Sequence, residues 1–93
     1  MPYIAEEQRV HFRELDKSLM EARINTAGEL QYVIALAIAQ FMSDKPARYQ
    51  QMNDVMGALN GANLEFYRRH VAPYEGYCIR KNGDIDGYGM EEK

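Results

Sequence analysis

The sequence predicts a mainly α fold: a three-helix bundle-like single domain over residues 1–93, closed by a short C-terminal β-hairpin. Three observations carry this expectation. Apolar residues recur at three- and four-residue steps from the N-terminus to about residue 70. Thr26-Ala27-Gly28-Glu29 is a capping box, the sequence signature of a helix start. After Ala72-Pro73 the composition shifts to tyrosine, glycine and β-formers and then to Asn82-Gly83, a dipeptide that favours hairpin turns.

The first helix is expected over about 5–23. Ala5, Gln8, Phe12, Leu15, Leu19 and Ala22 form one apolar stripe, with Glu6, Glu7, Arg13, Glu14, Asp16, Lys17 and Glu21 on the remaining surface. The second is expected over about 27–43. Leu30, Ile34, Ala37, Ile38 and Phe41 make its stripe, but Tyr32, Ala35, Leu36 and Ala39 make the opposite face apolar as well, so it needs cover on both sides. Ser43-Asp44-Lys45-Pro46 stops it, since the residue before proline is pushed out of the α region. A third helix over about 48–70 carries Met52, Val55, Met56, Leu59, Ala62, Phe66 and His70 on its core stripe. Gly57 and Gly61 lie on its far side, each costing about 1 kcal/mol relative to alanine; they mark either tolerated drift on an exposed face or close approach of another helix or a ligand. The hairpin is expected over about 77–86, leaning on the helices or on a neighbour.

With 93 residues the chain can bury roughly two-thirds of its unfolded surface without a metal or disulfide staple. A formal net charge of -3 and a pI near 5.3 argue against general nucleic-acid coating, which needs a broad basic face. Cys78 is the sole cysteine, so an internal disulfide is excluded and a reducing, cytoplasmic setting is expected. The N-terminal residues lack the basic and apolar regions of a secretory signal, and the apolar-rich run from Tyr32 to Met42 is too short to span a membrane.

The search for chemistry starts with Asn82-Gly83-Asp84-Ile85-Asp86-Gly87, which matches the opening of a calcium loop. Its twelfth position is Lys93 where a closing glutamate is needed, so an acidic turn is expected and no metal site. The candidate ligand-binding residues are Tyr67, Arg68, Arg69, Tyr74, Arg80 and Lys81. They form a local basic, aromatic reversal in an acidic chain, with His70, Tyr77 and the acid Glu75 among them. Arginine forks and aromatic rings suit phosphates and bases; cations at a helix C-terminus also complement the helix dipole with no ligand at all. His11 and His70 have no second ligand at zinc spacing and read as structural. No nucleophile–base pairing and no paired acidic magnesium motifs occur, so neither an enzyme nor a cofactor is expected.

Several stretches together resemble a small uncharacterised family that recurs in bacteriophage genomes and phage-derived bacterial regions: Thr26 to Val33, Gly57-Ala58-Leu59, Glu65 to Arg69, Ala72-Pro73-Tyr74-Glu75 and Asn82-Gly83-Asp84. The resemblance implies phage origin and carries no established activity; by analogy with other small phage proteins, and from the basic, aromatic stretch and the two-faced second helix, the expectation is an accessory binding protein of the host cell cytoplasm, of counter-defence type, that sequesters an anionic nucleotide-like ligand as a homo-oligomer. The alternative is an inhibitor that docks on a host protein through apolar helix surface.

Overall fold

The computed structural model describes residues 2–89. Helix α1 spans Glu6–Val10 and α2 spans Arg13–Ala22. The expected first helix is thus two, parted at His11 and Phe12. There the Phe12 N–H bonds Arg9 O at 2.9 Å, three residues back, and the two rings meet edge to face with centroids 4.8 Å apart. Arg23 then takes the left-handed conformation at φ 60°, a conformation costly for a residue with a Cβ, and turns the chain toward α3.

Helix α3 spans Ala27–Met42 and starts on the capping box: Thr26 Oγ1 accepts from the Glu29 N–H at 3.0 Å, and Glu29 Oε1 accepts from Thr26 N–H at 3.2 Å and from Asn25 N–H at 2.7 Å. These bonds satisfy amides that the first turn leaves without helical partners. At the other end the Ser43 hydroxyl donates to Gln40 O at 2.8 Å and Lys45 Nζ donates to Phe41 O at 2.6 Å. The same ammonium lies 4.0 Å from the centroid of the Phe41 ring.

Helix α4 spans Tyr49–Phe66 and runs through a π turn, Tyr67–Val71, directly into α5, Ala72–Asn82. The π turn is what carries the helix past Pro73. In a regular ladder a proline lacks the N–H and its ring crowds the carbonyl four residues back. Here the Ala72 N–H reaches Tyr67 O, five residues back, so the ladder has shifted by one just before the proline.

The β-hairpin expected over 77–86 is therefore not present: among the described residues there is no strand, and Tyr77 to Asn82 are the last turns of α5. Asn82-Gly83 ends a helix instead of turning a hairpin. Gly83 donates its N–H to Ile79 O at 2.8 Å and takes φ 96°, ψ 153°, a region open to glycine and strained for other residues.

The helical run from Tyr49 to Asn82 is about 51 Å long at 1.5 Å per residue, which accounts for the longest dimension of 50 Å. The radius of gyration is 18.0 Å, against about 12 Å for a compact chain of this length. No described residue is buried; a closed bundle with its own core is not formed. Leu36 is 51 % and Tyr32 64 % exposed on one face of α3, and Met56 and Leu64 are bare on α4.

Two glycines should respond to alanine with opposite signs. A Cβ on Gly57 would have nothing within 4 Å, so Gly57→Ala should raise stability by about 0.4 to 1 kcal/mol through helix propensity. Gly83→Ala should lower it by about 1 kcal/mol or more, because of its positive φ. Thermal denaturation at one fixed protein concentration measures both; a loss of stability in Gly57→Ala would show that another helix approaches that face.

Candidate ligand-binding surface

The π turn and the helices on either side of it place the six candidate residues along one rod. Tyr67, Arg68 and Arg69 lie on the π turn, and Tyr74, Arg80 and Lys81 on α5. Arg80 follows Arg69 by eleven positions, about 16 Å along the helix axis. The structure thus brings Arg68 and Arg69 together on Glu65, turns Tyr67 toward Glu75, and sets Arg80 and Lys81 further along the rod.

Glu65 organises the first group. Its Oε2 lies 2.8 Å from Arg68 Nη2 and 3.4 Å from Arg69 Nη1. The Tyr3 hydroxyl donates to the same carboxylate oxygen and accepts from Arg69 Nη1, tying the N-terminal segment to the end of α4. Glu65 is the more enclosed partner, its side chain 18 % exposed, while Arg68 remains 68 % exposed. The Tyr3 hydrogen bond is the largest cause holding the Glu65 carboxyl below the usual glutamate range; desolvation opposes it, and Arg68 and Arg69 add to the lowering. Two guanidinium groups therefore share one carboxylate, and the cluster keeps a net positive charge open to solvent.

The tyrosines are engaged as well. The Tyr67 hydroxyl donates to Glu75 Oε1 at 2.6 Å; that bond, and the charge of Glu75, push its pKa above the ordinary phenol value. The neighbouring Cys78 pushes Tyr74 above the ordinary phenol value as well. Lys81 Nζ sits 6.0 Å from the centre of the Tyr77 ring. The Arg80 guanidinium folds back over Gly76, where an added Cβ would meet Nη1 at 3.5 Å. His70 stacks on Phe66 with centroids 4.9 Å apart.

The sequence reading missed Tyr3 and Glu65. Glu65 carried a usable signal, since it stands three and four residues before the two arginines, the spacing of helical ion pairs. Tyr3 carried none, because its partners are more than sixty positions away.

A second feature is an apolar groove of about 410 Å³ where α3 turns back into α4. Ile34, Ile38 and Phe41 form one wall and Val55, Ala58 and Leu59 the other, with Asp54 the single charged residue at its edge. Asp54 accepts from the Gln50 amide at 2.8 Å.

Among the described residues no group of three or more His, Cys, Asp and Glu is placed to hold a metal ion, and Lys93, the expected end of the calcium-like stretch, lies outside them. No helix among the described residues is long and apolar enough to cross a membrane.

Because Glu65 titrates lower in the folded chain than in the unfolded one, its pairing contributes fully above the ordinary glutamate range and is lost as pH falls through the lowered value. Acid unfolding of the wild type should therefore be steeper than that of Glu65→Gln. In Tyr3→Phe the Glu65 carboxyl midpoint, followed by NMR, should move up toward the ordinary glutamate range.

No curated protein and no solved structure matches the chain. The model of one family does, over residues 1–85. The chain belongs to the family described as Domain of unknown function (DUF6899).

Proposed function

We propose that this protein is a non-catalytic binding protein that works as a homo-oligomer and sequesters an anionic, nucleotide-like ligand, in the manner of a phage accessory protein directed at a host defence signal. The observation that carries the assembly is the bare apolar surface. The chain exposes 8541 Å², whereas a folded monomer of its mass exposes about 5,500 Å². The difference, about 3,000 Å² per chain and so about 6,000 Å² for a pair, lies at the upper end of what obligate assemblies bury.

Support for the ligand comes from Arg68 and Arg69, which share Glu65. Two guanidinium forks share one carboxylate, so an arriving phosphate meets uncompensated positive charge and free donors on Arg68. Arg80 and Lys81, too far along the rod to join within one chain, can complete such a site only from a neighbouring protomer. Glu65 is shifted down and Tyr67 and Tyr74 up, in each case away from the range where a general acid or base works near neutrality.

The exposed Tyr32 and Leu36 face favours a second reading, in which that surface docks on a host protein.

Light scattering at tens of micromolar should give at least twice the chain mass, and a monomer there contradicts the assembly. A thermal-shift series with cyclic and linear nucleotides should find one that raises the melting temperature. Arg68→Ala should then weaken its binding about ten- to a hundredfold by calorimetry. Equal affinity in wild type and Arg68→Ala removes the cluster as the site, and the absence of any shift leaves host-protein docking as the reading to pursue.

A further inference from the structure

We propose that the groove between α3 and α4 is the seat of the α2 helix of a second copy of the chain, so that each three-helix core is completed by exchange between protomers. The inference rests on the homo-oligomeric reading above and specifies its contact.

Two unpartnered surfaces of one chain match each other. The first is the groove, apolar on both walls and bounded by Ile34 and Phe41 on α3 and by Val55 and Ala62 on α4. Each pair is seven residues apart, about 10 Å along a helix. Its small side chains, Ala37, Ala58 and Ala62, let a third helix approach closely. The second surface is the α2 stripe. Leu15 is 54 % exposed and Leu19 37 %, and with Ala22 they also span seven residues. The rest of α2 is largely charged, with Met20 bare beside the stripe, so the Leu15 and Leu19 stripe is the main face this helix has to bury.

Within the chain the two do not meet: no residue of α2 lines the groove. The arm that carries α2 is held elsewhere at both ends, by the Tyr3 bonds to Glu65 and Arg69 and by the left-handed turn at Arg23. The helices of a bundle are thus all present, with one of them displaced from its place. An unrelated protein is a poor candidate to fill that place. No described residue is buried without cover, so the cover has to be present whenever the chain folds, and a second copy is made alongside the first. The exposed excess of about 3,000 Å² per chain is enough for this contact and for further contacts on the Tyr32 and Leu36 face.

The test uses the full chain in a Cys78→Ser background. One tagged chain carries Leu15→Cys or Leu19→Cys, and a second, differently tagged chain carries Ala37→Cys or Ala58→Cys. The two are co-expressed and mildly oxidised. A disulfide forms only where Cα atoms come within about 7 Å. The expected result is a covalent pair joining the two different chains in at least one of the four combinations, with most of the protein linked, and no covalent pair from Ala58→Cys alone. Self-linking by Ala58→Cys alone would overturn the proposal by showing groove against groove. Linking within one chain that carries both Leu15→Cys and Ala58→Cys would overturn it by showing that the chain's own α2 closes the groove. An oligomer in which no combination links would overturn this contact while leaving the assembly standing. A monomer by light scattering would overturn both.

Discussion

Helix α3 is apolar on two opposite faces, and within the chain α4 borders only one of them. Helix α5 continues the α4 rod away from α3, and α2 is led off by the turn at Arg23. The open groove, the bare Leu36 face, the radius of 18.0 Å and the absence of any buried described residue all follow from that shortage. A chain that exposes this much apolar surface pays the conformational entropy of folding with little burial in return. On the proposed reading, folding and association are one process, as in obligate homo-oligomers with no stable monomer.

Much of this was legible in the residues. The capping box at Thr26 and Glu29 gives the start of α3, and Pro46 its end, because both act locally. The two-faced composition of α3 called for cover on both sides, and the Tyr32 and Leu36 face is bare within the chain. The errors came where a local signal had two uses. Asn-Gly supplies a positive-φ glycine to a hairpin or to a helix end, and with Tyr77 to Lys81 already helical the second use prevailed. Pro73 reads as a helix stop under an i→i−4 ladder, but the π turn at Tyr67 to Val71 removes that premise. The break at His11 and Phe12 has neither proline nor glycine to announce it.

The candidate site was half legible for a similar reason. The arginines and tyrosines stand out by composition, but what neutralises them does not. Glu65 is adjacent on the helix and was readable from spacing. Tyr3 arrives from the far end of the chain and depends on tertiary structure. The result is a cluster less basic than the stretch from Tyr67 to Lys81 suggests, and divided along the rod. An anionic ligand must compete with Glu65 for Arg68 and Arg69, or leave Arg69 to Tyr3 and use the freer Arg68.

The most direct measurement of the central claim, that this chain has no core of its own, is the concentration dependence of its melting temperature. If folding is association, the midpoint rises by several degrees over a hundredfold increase in protein concentration, because mass action favours the assembled state. A midpoint unchanged over that range, with full helical signal at the lowest concentration, would show that a single chain buries enough of itself to fold alone and would contradict the account.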